Sequence, residues 1–167
     1  QRVSDLIEFG LETVCIDVAH GHHSMMEGAL KYLKDTYDSS LSIIAGNVAT
    51  PDAFNDLSDW GADAIRVGIG GGSICSTRTQ TGHGVPTFHS VLGCKYVDSD
   101  AKIIADGGIK TAGDIVKAIA AGADFVMLGS MLAGTDESPG QVFVTSESKK
   151  YKVYRGMASE EAQIAWR

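Results

Sequence analysis

A cysteine at the end of a glycine-rich stretch is the feature of this sequence best suited to chemistry. Gly70, Gly71 and Gly72 precede Cys75, and Thr77 follows it two residues later. Glycines let a backbone turn tightly and approach a ligand without side-chain clashes. A thiolate on such a loop can attack a substrate, and the Thr77 hydroxyl is placed to orient the reacting group or exchange a proton with it. The stretch therefore predicts a nucleophilic cysteine beside a bound ligand.

Two later glycine turns indicate that this ligand carries a phosphate. Asp106 is followed by Gly107 and Gly108, and Gly129 is followed by Ser130, each time between an apolar run and a helical segment. Backbone N–H groups at a turn that opens a helix suit a phosphate, and the Asp106 carboxylate is able to accept hydrogen bonds from ribose hydroxyls. The competing interpretation is that these glycines only form tight turns.

Other polar residues are weaker candidates. Asp17 and Asn47 end the first two apolar runs, where they either point toward a site or cap the next helix. The three histidines within residues 20–23 have no matching pair of carboxylates, so a metal site there is disfavoured. Cys15, which apolar residues flank, and Cys94 are expected to be small buried residues.

Five short apolar runs alternate with segments of helical periodicity. Residues 51–60 and 111–121 carry apolar side chains at three- and four-residue spacing. The sequence Gly-Ala-Asp occurs at 61–63 and 122–124, each time after a helical segment and before an apolar run. Continuous apolar runs predict strands buried on both faces, as in a parallel sheet of βαβ units. The predicted strands are residues 13–18, 42–45, 64–69, 102–105 and 124–128.

This alternation leaves two α/β architectures, a TIM (β/α)8 barrel and a doubly wound open sheet. Open sheets usually place their phosphate glycines after the first strand, whereas here glycine turns follow the third, fourth and fifth predicted strands. Because several strand ends share one site in a TIM barrel, we favour the barrel. Residues 1–167 are then expected to form a partial barrel catalytic domain, made of its C-terminal five or so βα units. A hairpin-like excursion is predicted at about 140–155, and the N-terminal strands would lie outside the chain.

Composition argues against two classes of partner. The net charge of −7 at pH 7 argues against binding nucleic acid, which needs a basic face. No apolar run approaches the roughly 18 residues of a membrane span, and no signal peptide is recognisable. Three cysteines without zinc or disulfide spacing favour a reducing, cytoplasmic setting.

Residues 66–77 resemble the active-site signature of the IMP dehydrogenase and GMP reductase family. They reproduce its pattern of a basic residue, an apolar residue, Gly, apolar, Gly, any, Gly, Ser, apolar, Cys, any, Thr. The similarity continues in the family's order through nearly the whole chain. The matching segments are residues 17–22, 45–50, 84–86, 105–109, 128–130, 134–140 and 154–157.

The resemblance implies roles for the matching residues. Cys75 would attack C2 of a purine nucleoside monophosphate, and Thr77 would assist at the purine. The implied substrate-binding residues are Ser73, Asp106, Gly107, Gly108, Gly129, Ser130, Tyr154, Gly156, Met157 and Ala158. Among these, Asp106 would bind the ribose, and Ser73, Gly108, Gly129 and Ser130 would hold the 5′-phosphate together with Tyr154. Backbone groups of Gly156, Met157 and Ala158 would line the base.

The resemblance also implies a nicotinamide cofactor and a potassium ion. The residues implied on the cofactor side are Asp17, Asn47, Arg66 and Gly68. The backbone carbonyls of Gly70, Gly72 and Cys75 would hold the potassium ion. A homotetramer is the implied assembly.

Two reactions fit this resemblance. An IMP dehydrogenase oxidises IMP to XMP with NAD through a thioimidate on Cys75, and we take this as the first interpretation. A GMP reductase instead uses NADPH to convert GMP to IMP with loss of ammonia. Segments closer to the dehydrogenases are residues 105–109, 128–130, 137–140 and 154–157, and segments closer to the reductases are 17–19, 123–128 and 159–160. The flap that separates the two, and the C-terminus, are expected beyond Arg167.

Two further hypotheses come from other classes of protein. One is a module that binds a purine nucleotide without chemistry, against which the intact Cys75 and Thr77 argue. The other is a different phosphate-binding barrel, such as a sugar-phosphate isomerase, which requires no special reactivity of Cys75.

Overall fold

Strands and helices alternate along the chain, as the hydrophobic pattern predicts. The structure, a computed structural model, describes residues 2–157 and 159–165. The main strands are β1 (Thr13–Asp17), β2 (Ser42–Val48), β3 (Ala64–Val67), β4 (Lys102–Asp106) and β5 (Phe125–Met127). The helices are α1 (Arg2–Glu8), α2 (Ser24–Tyr37), α3 (Pro51–Asp59), α4 (Thr77–Thr81), α5 (Thr87–Cys94), α6 (Ala112–Ala121), α7 (Ser130–Ala133) and α8 (Glu160–Ala165). Two short strands, β6 (Val142–Val144) and β7 (Lys150–Lys152), pair antiparallel as a hairpin.

The five main strands form one parallel sheet in the order β1-β2-β3-β4-β5. Each strand therefore pairs with the next one along the chain. A doubly wound sheet reverses its order at a switch point, and these strands show no reversal. Sequential parallel pairing is the order of a TIM barrel, so the sheet forms five consecutive strands of such a barrel.

The helix ends follow from local sequence. Thr50 caps α3 by accepting a hydrogen bond from the Ala53 N–H, and Thr111 caps α6 in a reciprocal capping box with Asp114. Hydrogen bonds from the Thr111 hydroxyl and the Lys110 backbone hold the pKa of Asp114 below its usual value. Among the described helices, none combines the length and the hydrophobicity that crossing a membrane requires.

The two Gly-Ala-Asp sequences have the same structural role. The Asp63 N–H donates to the Ile43 carbonyl at 2.9 Å, and its carboxylate accepts the Ile43 N–H at 2.8 Å. Asp124 makes the same pair of bonds to Ile103, at 2.9 and 2.8 Å. Each aspartate thus joins the start of its strand to the preceding strand, which gives the two copies of the sequence their common role.

The hydrophobic core lies between one face of the sheet and helices α2, α3, α5 and α6. The strand residues on that face are Ile43, Ala45, Ile65, Val67, Ile103 and Ala105, and all are buried. Leu30, Phe54, Leu57 and Val91 from the helices complete this layer. On the opposite face Ile104 is buried, Ile44 is half-buried and Cys15 is exposed, so the prediction that both faces are buried holds only in part.

Cys15 and Cys94 lie in different environments. It was expected to be buried, but it lies exposed on β1. Cys94 is buried in the core as predicted, and burial raises the pKa of its thiol to about 11. A cysteine in that environment is inert as a nucleophile at neutral pH.

Candidate functional site

The loop that carries Cys75 leaves the sheet at the end of β3. Gly68 has φ +148°, and a Cβ atom there would collide with the Asp106 carbonyl oxygen, so only glycine fits. The strand therefore ends at Val67, two residues earlier than predicted. The loop closes on itself where the Val85 N–H donates to the Ile69 carbonyl at 3.1 Å.

Cys75 is half-buried at the edge of a cleft of about 400 Å³. Its Sγ atom lies 3.3 Å from the Thr77 Oγ1 atom, within hydrogen-bonding distance for sulfur. The Cys75 N–H donates to the Gly72 carbonyl at 3.2 Å, which fixes the turn ahead of the sulfur. The thiol thus faces open space with a hydroxyl beside it, unlike Cys94.

A polar network centred on Asp106 lines the same cleft. The Oδ2 atom of Asp106 accepts hydrogen bonds from Asn47 Nδ2 at 2.7 Å and from Arg66 Nη2 at 2.8 Å. Asn47 Nδ2 also donates to the Gly68 carbonyl at 2.8 Å, and Arg66 Nη1 lies 2.7 Å from the Asp17 carboxylate. The Oδ1 atom of Asp106 accepts no hydrogen bond from the described residues and is left for a ligand.

Arg66 provides the positive charge of this network. Burial by itself would lower the pKa of Arg66, but hydrogen bonds and charge attraction from Asp17 and Asp106 more than offset it and raise that pKa. Its side chain is 11% exposed, against 61% for Asp17 and 19% for Asp106. The network therefore joins three residues predicted for the cofactor side, Asp17, Asn47 and Arg66, to the one predicted for the ribose.

A second cavity, of about 240 Å³, lies beside the cleft and shares Gly72 and Asp106 with it. Its lining includes all the residues that were predicted to hold a phosphate: Ser73, Gly107, Gly108, Gly129, Ser130 and Tyr154. A Cβ atom on Gly129 would lie 2.5 Å from the Tyr154 hydroxyl oxygen, so that hydroxyl packs directly on the turn. Tyr154 lies outside the hairpin, whose second strand ends at Lys152.

The residues predicted to line the base are only partly placed. Met157 lines the cleft, together with Gln163 from α8. Gly156 lies close to Ile74, with 3.8 Å between its ideal Cβ position and the Ile74 Cδ1 atom. Ala158 lies outside the described residues.

The histidine cluster contributes a structural contact. His22 Nε2 lies 2.8 Å from an Asp56 carboxylate oxygen, and the His22 ring stacks on Trp60. These contacts tie the loop after β1 to α3. Among the described residues, no three His, Cys, Asp or Glu side chains converge as they would around a metal ion.

Three residues near the site were not predicted from the sequence. Lys110 lines the second cavity two residues after Gly108, and a basic residue beside a glycine pair is a signal that could have found it. Gln163 reaches the cleft from α8, and Thr87 on α5 contacts the end of β4 and the loop after β3. No local pattern marks these two, because each reaches the site only through the packing of distant elements.

The parallel sheet, with its strands in sequential order, places this chain in the class of (β/α)8-barrel domains. The thiol and the glycine-lined cavity lie at the carboxyl edge of the sheet, where domains of this class have their site. The family model for the IMP dehydrogenase / GMP reductase domain matches residues 1–166. The chain therefore belongs to the IMP dehydrogenase / GMP reductase family, as the resemblance of residues 66–77 predicts.

An IMP dehydrogenase and a GMP reductase resemble the chain to the same degree. It is 51% identical over 160 residues to inosine-5′-monophosphate dehydrogenase of Chlorobaculum parvum, covering 95% of the chain and 32% of the relative. It is also 51% identical over 168 residues to GMP reductase of Leishmania major, covering 99% of the chain and 34% of the relative. The chain thus spans about a third of the length of the curated relatives it matches.

A solved structure shows the same fold. The chain superposes with a TM-score of 0.91 and 48% identity on GMP reductase from Trypanosoma brucei in complex with guanosine 5′-monophosphate, over 96% of this chain and 34% of that one. At that similarity the architecture of the five βα units is shared.

Proposed function

We propose that the full-length protein is a purine-nucleotide oxidoreductase in which Cys75 is the nucleophile and Thr77 its hydrogen-bonding partner. The observation that carries this proposal is the position of the sulfur. It faces a cleft that shares Gly72 and Asp106 with the cavity lined by the two glycine turns. A nucleotide whose phosphate lies on those turns would place its ribose at Asp106 and its base toward the sulfur.

The phosphate end of the substrate would be held by backbone and hydroxyl donors. The groups we propose are Ser73, Gly107, Gly108, Gly129, Ser130 and the Tyr154 hydroxyl, with Lys110 adding a positive charge. Backbone N–H groups at such turns bind anions without needing a side chain. The free Oδ1 atom of Asp106 would accept the ribose hydroxyls, while Asn47 and Arg66 hold its Oδ2 atom in place. Gly156, Met157 and Ala158 would line the base.

As the reaction we propose the oxidation of IMP to XMP. Cys75 gives up its thiol proton as Sγ forms a bond to C2 of IMP, and C2 then loses its hydrogen with the bonding electron pair as a hydride. Water hydrolyses the resulting thioimidate: its oxygen bonds to C2, one of its protons goes to N3, and the other goes to the sulfur as the C2–S bond breaks, which gives XMP and the free thiol. The Thr77 hydroxyl, 3.3 Å from the sulfur, would donate a hydrogen bond to the thiolate.

The nicotinamide cofactor that we propose, NAD, supplies the hydride acceptor when bound. Asp17, Asn47, Arg66 and Gly68 line the same cleft as Cys75. The Asp17 carboxylate is 61% exposed and keeps capacity to accept hydrogen bonds from a ligand. These residues would orient the cofactor and keep its reactive face toward C2.

A potassium ion fits the carbonyl groups of the loop. Carbonyl oxygens can replace the hydration shell of K⁺. The Gly70 and Cys75 carbonyls accept no hydrogen bond from the described residues, and the Gly72 carbonyl accepts one, from Cys75 N–H, which leaves a lone pair. We propose that these three carbonyls hold the ion and so stiffen the turn that carries the sulfur.

A second candidate reaction is the NADPH-dependent conversion of GMP to IMP. It is favoured by the T. brucei GMP reductase structure and by the L. major relative, whose identity equals that of the dehydrogenase. The thiol would have the same role, with ammonia leaving from C2 and a hydride taking its place. A homotetramer, a cytoplasmic location and the lack of a nucleic-acid partner complete the proposal.

The test is to incubate the full-length protein with IMP and NAD and, separately, with GMP and NADPH, and to follow the absorbance of the reduced nicotinamide. The proposal expects turnover in one mixture, abolished by Cys75→Ala and retained by Cys94→Ala, which changes a buried cysteine that lines neither the cleft nor the second cavity. Mass spectrometry with a 6-halogenated purine nucleotide should show an adduct on Cys75. Nucleotide binding without turnover or adduct would instead identify a binding module.

A further inference from the structure

Thr87, the first residue of α5, contacts both loops that build the site. Its Oγ1 atom donates to the Asp106 carbonyl oxygen at 3.3 Å, directly before the Gly107 turn. A Cβ atom on Gly71 would lie only 2.6 Å from the same Oγ1 atom, so the hydroxyl also packs against the loop that carries Cys75. One half-buried side chain thus lies where the two loops meet.

The two loops touch each other through backbone alone at this point. A Cβ atom on Gly107 would lie 2.8 Å from the Gly71 carbonyl carbon and 2.9 Å from the Gly72 nitrogen. No side chain fits between them, so their separation depends on what holds each backbone from outside. Thr87 is suited to that task because α5 is anchored in the core by Val91 and Cys94, both essentially buried.

We propose that Thr87 is a positioning residue that fixes the Cys75 loop against the Gly107–Gly108 turn. The inference rests on the proposed function, since it concerns how far the sulfur lies from a base whose phosphate is held on that turn. Thr87 lines neither the cleft nor the second cavity, so it acts through the two loops. Reaction at a covalent centre is sensitive to such spacing, and a misplacement of about 1 Å can cost about 100-fold in rate.

Two substitutions separate the hydroxyl from the shape of the side chain. Thr87→Ser keeps the donor to the Asp106 carbonyl and removes only a methyl group. Thr87→Val keeps the shape of the side chain but replaces the hydroxyl with a methyl group, so the Asp106 carbonyl loses this hydrogen-bond donor. If the hydroxyl sets the spacing of the two loops, the Thr87→Val variant should lose activity and the Thr87→Ser variant should keep it.

The experiment measures kcat, KM for each substrate, and nucleotide affinity by titration calorimetry in the full-length protein. Thr87→Val should lower kcat by about 10- to 100-fold, while nucleotide affinity changes much less because the phosphate contacts remain. Thr87→Ser should stay close to the wild type. Thr36→Val is the matched control, since the exposed Thr36 hydroxyl also donates to a backbone carbonyl, that of Tyr32 at 2.6 Å, but on α2.

Several results would overturn the inference. These are an unchanged kcat in Thr87→Val, a Thr87→Ser variant as impaired as the valine variant, or a loss of nucleotide affinity as large as the loss of kcat. If Thr87→Val does not fold, Thr87→Ala replaces it with the same expectations.

Alkylation of Cys75 by iodoacetamide separates this inference from the proposed function. Wild-type protein that turns over neither nucleotide would refute the proposed function. The loop contact would then be tested by alkylation alone, which should be faster in Thr87→Val than in wild type or Thr87→Ser because the loop is freed. Equal rates in all three proteins would refute the role of Thr87.

Discussion

Asp17 and Asp106 both pair with Arg66, so comparing them tests how burial changes the contribution of an ion pair to stability. Arg66 lies 2.7 Å from an Asp17 oxygen and 2.8 Å from an Asp106 oxygen, so the two distances are equivalent. The carboxylates differ in environment, because the Asp17 side chain is 61% exposed and that of Asp106 is 19% exposed. We therefore expect Asp17→Asn and Asp106→Asn to differ strongly in their effect on stability.

The expected magnitudes follow from that difference. An exposed pair contributes up to about 1 kcal/mol, so Asp17→Asn should lower the free energy of unfolding by no more than that. Removing one partner of a buried pair costs about 3–5 kcal/mol. Arg66 keeps Asp17 as a partner when Asp106 is neutralised, so we expect the low end of that range, about 3 kcal/mol.

Urea denaturation of the full-length protein, followed by tryptophan fluorescence, measures both losses. Titration with nucleotide should add a second distinction, because Asp106→Asn removes a proposed ribose acceptor and should weaken binding by about 10-fold or more. Asp17→Asn should leave nucleotide binding unchanged and raise KM for the nicotinamide cofactor. Equal destabilisation by the two variants would refute the argument from burial, and normal nucleotide binding by Asp106→Asn would refute the ribose assignment.

Three further predictions concern the fold and the cysteines. Gly68→Ala should destabilise the protein by about 1–3 kcal/mol or more, because its Cβ atom would meet the Asp106 carbonyl at positive φ. Gly28→Ala in α2, where nothing lies within 4 Å of the added Cβ atom, should be neutral or slightly stabilising in the same thermal melts. Asp114→Asn should lower Tm near neutral pH and lose that effect in acid. A carboxyl whose pKa is depressed in the folded state stabilises above its unfolded pKa, near 3.8, and loses that contribution as pH falls through the folded value. A difference in Tm between wild type and Asp114→Asn that persists at the lowest pH would contradict this expectation. Finally, iodoacetamide at pH 8 should modify Cys75 in the native protein but Cys94 only after unfolding, since Cys94 is buried with a pKa of about 11. Peptide mass spectrometry reads out both sites, and rapid native labelling of Cys94 would contradict its assignment to the core.

The sequence by itself determined the βα alternation, the family, and the residue types at the strand ends. These are local signals, since apolar runs, helix caps and glycines that permit positive φ act over a few residues. They were enough to place Cys75 after β3 and the two glycine turns after β4 and β5. They also gave the correct choice between a barrel and an open sheet, through the positions of those turns along the chain.

Only the tertiary structure decided which side chains meet. Asn47 and Arg66 both bind the Asp106 carboxylate from 59 and 40 residues away, and Thr87 reaches its carbonyl from 19 residues away. Such contacts depend on strand register and on how each helix packs, which no local pattern encodes. The same limit explains why Cys15 was expected in the core and lies exposed, because the burial of a strand face depends on the elements that cover it.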